Sequence, residues 1–263
     1  MAITLKSRRE IELMRKAGFV VAKVLSKLEK MAEPGLSTAR LDEVAMQMSV
    51  DAGAECLFKG VKNPYARDPF PGAICASLNE QIVHGIPSEA VKLNNGDILS
   101  IDFGVKLDGY CADSALTVAI GEVSEEKRKL MEVTRHVLGM VIAKVRPGIK
   151  WSQIAAEMQA YTKAAGFSVV KDFVGHGIGR KMHEEPRVPN FVSSELLAND
   201  IFLTEGMVLA VEPMINAGTS STRTLNDGWT VVTKDGKSSA HFEHTIAILK
   251  NGCEVLTGSN SSV

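Results

Sequence analysis

Two aspartates eleven residues apart flank a turn signal. Asp102 lies in the apolar run Ile98-Leu99-Ser100-Ile101-Asp102-Phe103, and Asp113 follows Asp108-Gly109. Read as a two-residue hairpin turn, Asp108-Gly109 sets position 104 opposite 113 and position 102 opposite 115. Paired residues share a face, and every second residue along a strand returns to it. The spacing therefore predicts both carboxylates on one side of the hairpin as diagonal neighbours. Carboxylates held that close repel unless a proton or a cation lies between them, which makes the pair a candidate divalent-metal site. An edge strand carrying solvated acids fits the same local pattern.

Glu212 closes the apolar run Met207 to Val211 and is stopped by Pro213. An acid ending a buried strand is costly unless it is paired or coordinated. Glu243 lies in the alternating stretch Ala240 to Ile248, which reads as one strand. There His241, Glu243 and Thr245 share one face and Phe242, His244 and Ile246 the other; the pattern leaves either face inward. Taken singly, each glutamate also fits a surface position. His176 stands in Gly175-His176-Gly177-Ile178-Gly179-Arg180, which lacks the spacing of a dinucleotide fingerprint. Its glycines would let the backbone turn tightly and present the imidazole to a cavity. His183-Glu184-Glu185-Pro186 is not H-E-x-x-H, so a zincin helix is excluded. His84 sits beside a glycine turn, where a lone histidine is also ordinary polar surface.

Other chemistries lack their residues. No G-x-S-x-G elbow and no P-loop occurs. Cys56, Cys75, Cys111 and Cys253 show no C-x-x-C spacing and no evident partner histidine. Reduced thiols in the cytoplasm are expected, rather than a disulfide framework or a zinc finger.

The elements that must position these groups come in two similar units. Ser7-x-x-Glu10 has capping-box spacing before an apolar stripe at Ile11, Met14, Gly18, Val21, Leu25 and Leu28. That helix stops near Glu33-Pro34-Gly35. Ser37 or Thr38 caps the next, through Leu41, Val44, Ala45 and Met48 to Gly53. The scheme returns 113 residues later: a stripe at Leu130, Val133, Val137, Leu138 and Val141, then Pro147-Gly148, then a helix with Ile154, Met158 and Tyr161. Pro34 to Gly53 and Pro147 to Gly166 are both 19 residues. Strand-like runs follow each helix pair, so the class is α+β with antiparallel sheet. Two copies are too few for a solenoid, and a ligand between the halves is expected.

The whole is 263 residues, 45% hydrophobic and 23% charged, the range of a globular enzyme. With 30 basic and 31 acidic residues the net charge is -1, against bulk-charge nucleic-acid binding. Aromatic residues are 5%, which weakens base stacking. No apolar run reaches membrane-spanning length, and Met1 to Glu10 lacks a signal's apolar region.

The ordered set Asp102, Asp113, Gly-His176-Gly, Glu212-Pro213 and Phe242-Glu243-His244-Thr245 resembles the ligand set of the pita-bread metallopeptidases. Asn79-Glu80-x-x-x-His84-Gly85-Ile86-Pro87, His183-Glu184-Glu185-Pro186 and Asp227-Gly228-Trp229-Thr230 further resemble bacterial type I methionine aminopeptidases, over about residues 3 to 257. The resemblance implies one catalytic pita-bread domain over 3–257, with halves about 3–120 and 121–257, and a polar tail 258–263. It implies two divalent ions, of cobalt, manganese, iron, zinc or nickel, on Asp102, Asp113, His176, Glu212 and Glu243, with Asp113 and Glu243 bridging. It implies removal of N-terminal methionine before a small second residue, with Glu212 as general base. His183 would steady the carbonyl oxygen, and His84 would contact the scissile nitrogen. Cys75, Trp229 and Phe70 would line the methionine pocket. Substrates would be nascent polypeptide N-termini at the ribosome, met by a cytoplasmic monomer without nucleic-acid or membrane contacts of its own. The chain's own Met1-Ala2 suits such trimming. The segment Phe58 to Pro71 and that around Phe191 to Thr204 are longer than the usual bacterial pattern. Prolidases and aminopeptidases P share the ligands but usually carry a further N-terminal domain, whereas this chain begins almost directly with the first helix. A non-catalytic peptide-binding relative would have lost ligands, and all are present.

Overall fold

Ser7 opens the first helix as its spacing predicts. Its hydroxyl accepts from Glu10 N–H and the Glu10 carboxylate accepts from Ser7 N–H, a reciprocal cap on α1 (Arg8–Met31). The computed structural model describes residues 3–258, so Met1-Ala2 and tail residues 259–263 lie outside the described residues. Ser37 caps α2 (Thr38–Asp51). Then come β1 (Glu55–Cys56), β2 (Cys75–Leu78), β3 (Gln81–Val83), β4 (Ile98–Leu107) and β5 (Tyr110–Ala119). The second half holds α3 (Glu125–Lys144), α4 (Trp151–Ala164), β6 (Ser168–Val169), β7 (Gly175–Gly177), β8 (Glu184–Val188) and α5 (Ser194–Ala198). It closes with β9 (Val208–Val211), β10 (Met214–Asn216), β11 (Thr222–Thr224), β12 (Val231–Thr233), β13 (Ser239–His241), β14 (His244–Leu249) and β15 (Gly252–Val255).

All pairings between these strands are antiparallel. The β4–β5 register sets Gly104 against Asp113 and Asp102 against Ala115, the alignment the Asp108-Gly109 turn requires. The two helix pairs are tied to their halves alike. Gly35 N–H donates to Leu93 O, and Gly148 N–H to Leu203 O, both at 2.8 Å. Each of these glycines takes a left-handed φ, +93° and +88°, that a side chain would resist. Helices α1 and α2 bury Val21, Leu25 and Leu41 against Ile101 and Phe103 of β4. Helices α3 and α4 bury Val137 and Ile154 among Leu209 of β9 and Ile246 of β14.

Three expectations change. Tyr161 is not on the buried stripe of α4; it stacks on His136 at 4.6 Å, while Trp151, Ile154, Ala155, Met158 and Thr162 face inward. The run 240–248 is not one strand. It breaks at Phe242-Glu243, because β13 pairs β10 while β14 pairs β9 in another sheet. The Gly-His-Gly segment is not a turn but strand β7, wedged between β8 and β9. A Cβ on Gly175 would meet Ala210 O at 2.5 Å, and one on Gly177 would meet Glu185 O at 2.2 Å. The glycines permit close strand approach.

Candidate metal centre and adjoining pocket

Strand β5 is sewn to the segment 241–245 by side-chain-to-main-chain bonds and one main-chain bond, and this brings Asp113 beside Glu243. Thr245 Oγ1 donates to Asp113 O at 2.8 Å, Asp113 N–H donates to Thr245 Oγ1 at 3.0 Å, and Glu243 N–H donates to Ala115 O at 2.9 Å. Two residues on, Thr117 Oγ1 donates to His241 O at 2.8 Å and accepts from His241 N–H at 2.9 Å. From the other side, β7 pairs with β9 so that His176 stands across from Ala210, close to the strand end that carries Glu212. Asn190 Nδ2 donates to Glu212 O at 3.0 Å and fixes that corner.

Ligand atoms of Asp113, His176 and Glu243 thus lie within 4.8 Å of one another, all buried. His176 Nδ1 contacts Gly177 O at 2.9 Å; a carbonyl only accepts, so Nδ1 carries the proton and Nε2 keeps its lone pair. That Nε2 faces Glu212 Oε1 at 3.7 Å. Burial pushes the His176 pKa down to about 4, keeping the ring neutral. Burial raises the pKa of Asp102, Asp113, Glu212 and Glu243, and the charge of Asp113 adds to this for the other three. Asp102 Oδ1, Asp113 Oδ1, Glu243 Oε1 and His241 Nε2 are buried without a hydrogen-bond partner. Orphaned buried acids next to a lone-pair imidazole are what divalent cations satisfy, and the mixed oxygen and nitrogen set suits borderline first-row ions.

The predicted histidines flank this centre. The His183 ring meets the His176 ring edge-on at 4.4 Å, and burial lowers its pKa. His84 lies edge-on to Phe173 at 5.5 Å, its pKa pushed down to about 4 by burial and then by His183. It sits at φ +59°, a left-handed strain of the kind that collects at functional sites. Phe70, Cys75 and Trp229 do come together. With Phe58 they form one buried apolar cluster, against which Leu57, Ala66, Ile86 and Met182 pack. Phe70 meets Trp229 edge-on at 5.2 Å, and Trp229 Nε1 donates to Asp68 O at 3.0 Å. Cys75 pairs with Asp102 across β2 and β4, which sets the apolar cluster beside the buried acids. Tyr65 points away, 88% exposed.

The strand pattern carried no reason to select His241. Its Nε2 lies 3.9 Å from both Glu212 Oε2 and Glu243 Oε2. The only available signal was its period-two relation to Glu243.

Known proteins are similar to this chain over nearly its whole length. The methionine aminopeptidase of Clostridium perfringens is 47% identical over 255 residues, 97% of this chain and 98% of that protein. The crystal structure of the methionine aminopeptidase from Thermotoga maritima superposes with a TM-score of 0.92 at 37% identity, covering 98% of this chain and all of that one. An Xaa-Pro dipeptidase from Bacillus anthracis shares the fold alone, at a TM-score of 0.75 and 21% identity. The architecture is the pita-bread fold, and the metallopeptidase family together with the buried ligand cluster supports divalent-metal binding. The pattern of metallopeptidase family M24 matches residues 12–250, within which every acid and imidazole of the buried centre falls, and the chain belongs to that family.

Proposed function

We propose that Asp102, Asp113, His176, Glu212 and Glu243 hold two divalent ions, of cobalt, manganese, iron, zinc or nickel. With them the chain removes an N-terminal methionine when the second residue is small. The chain is a metal-dependent aminopeptidase by family and by its close likeness to methionine aminopeptidases. The observation that carries the site assignment is the convergence of Asp113, His176 and Glu243 atoms within 4.8 Å, beside the apolar cluster of Phe58, Phe70, Cys75 and Trp229.

Bound divalent ions acidify water and polarise a carbonyl. The chain's own groups do the rest. Glu212, at the end of β9 beside His176, takes the water's proton as general base. His183 donates to the carbonyl oxygen as negative charge develops there. Neutral His84 contacts the scissile nitrogen. The thioether side chain enters the apolar cluster, and Asp102 receives the free α-amine on its side of the centre, a reading supported by its pairing with Cys75 of that cluster. One catalytic domain over 3–257, made of two similar halves, frames this site. Nascent polypeptide N-termini, met at the ribosome by a cytoplasmic monomer, are the substrates.

Chelated protein reloaded with each metal tests this on Met-Ala-Ser, Met-Lys-Ser, Ala-Ala-Ser and an X-Pro peptide. Turnover confined to Met-Ala-Ser supports the reading. Preference for the X-Pro peptide would replace it with a prolidase, and metal-free protein of full activity would end it.

A further inference from the structure

Glu212 is bracketed oxygen by oxygen. Its Oε1 faces His176 Nε2 at 3.7 Å, and its Oε2 faces His241 Nε2 at 3.9 Å. The same His241 nitrogen stands 3.9 Å from Glu243 Oε2. It is fully enclosed and has no hydrogen-bond partner. Its backbone is locked on one edge by Thr117 and on the other by β10, where His241 pairs with Met214. Ser100 Oγ in turn lies 2.8 Å from Thr117 Oγ1, so the lock is anchored in the β4–β5 ladder. The imidazole is thus aimed at a fixed point between two acids.

An uncharged imidazole carries one N–H and one lone pair. Between two carboxylates, which only accept, the tautomer with the proton on Nε2 is the favoured one. At 3.9 Å that N–H makes no hydrogen bond; a small inward rotation of either carboxyl makes one. We propose that His241 is a positioning residue that sorts the oxygens of Glu212 and Glu243. It holds each Oε2 through its Nε2–H and leaves each Oε1 for the cations. This rests on the ligand reading above and adds an outer partner to it. Such partners typically govern metal affinity by 10–100-fold.

Manganese titration of chelated protein by calorimetry tests the role, with circular dichroism and thermal unfolding as fold controls. His241→Leu removes the N–H at similar volume and is expected to bind manganese at least about tenfold more weakly while staying folded. His241→Gln, which keeps an amide N–H at comparable reach, is expected to recover affinity to within a few-fold. Should the leucine variant not fold, His241→Met serves in its place. Parental affinity in the variant lacking the N–H overturns the proposal. So does a folded His241→Gln as weak as leucine or methionine, since packing and not the N–H would then be responsible. Glu243→Gln, measured in parallel, separates the two levels. If it too binds normally, the ligand reading fails; if it alone loses metal, only the role of His241 does.

Discussion

Asp113 stands directly across the β4–β5 ladder from Gly104, and a Cβ placed on Gly104 would lie 3.0 Å from Asp113 Oδ1. The absent side chain leaves that carboxylate its place beside His176 and Glu243. Leu57 Cδ1, 3.2 Å from the same point, blocks escape in the other direction. Gly104→Ala should therefore displace the carboxylate slightly and Gly104→Val more. Overpacking of this kind costs about 1–3 kcal/mol, so metal affinity in the valine variant should fall on the order of tenfold with the far-ultraviolet spectrum preserved. Valine binding metal like the parent would show that Asp113 does not need this space.

His84 supplies a pH prediction. Its folded-state pKa is about 4, below the 6.5 of an unburied imidazole. Between these values the unfolded chain binds the extra proton, so His84 makes stability rise with pH there; its contribution is lost as pH falls through this window. His84→Asn should flatten the slope of the urea midpoint between about pH 4 and 6.5. It should also lower kcat on the order of a hundredfold without moving the acid limb of the rate profile, because His84 stays neutral through that range. An acid limb that shifts in the variant would assign that ionisation to His84 after all.

The segment before α1 reaches the start of β8, next to His183. Lys6 Nζ donates to Glu184 Oε2 at 2.7 Å, with both side chains largely enclosed, and Glu184 Oε1 accepts from Lys181 N–H at 3.1 Å. Glu184 directly follows His183. Lys6→Met takes the ammonium from a partly buried carboxylate that keeps its bond from Lys181 N–H, and should destabilise by about 2 kcal/mol. The loosened loop should lower kcat more than it raises KM, as read by steady-state kinetics on Met-Ala-Ser. Unchanged kcat in a destabilised variant would confine Lys6 to the fold.

Phe70 and Trp229 meet edge-on in the apolar cluster proposed to receive the methionine side chain. Phe70→Ala opens the wall. It should raise KM for Met-Ala-Ser about tenfold and blunt the preference for methionine over alanine at the first position, since one side-chain contact in an apolar pocket is worth about 1–3 kcal/mol. Unaltered discrimination would place the methionine elsewhere.

Local chemistry made the first half of the site legible. Asp108-Gly109 specifies a two-residue turn, and period-two counting then settles which aspartates share a face. The capping box of Ser7 and Glu10 and the matched turns at Gly35 and Gly148 were readable for the same reason: each is decided within a few residues. The break at Phe242-Glu243 was not, because it arises from two sheets competing for adjacent residues, β10 for one side and β9 for the other. His176 was found by type but misplaced in a turn, because the close contacts of Gly175 and Gly177 involve Ala210 and Glu185, distant in sequence. His241 was placed on one face with Glu243 but given no role; its second partner, Glu212, is brought to it only by the fold.

The most direct check is metal content together with turnover of Met-Ala-Ser in Asp113→Ala, with its fold verified by circular dichroism. Loss of both bound metal and hydrolysis in a natively folded variant is the predicted result. A folded variant that keeps near-parental metal and rate would contradict the assignment on which the rest is built.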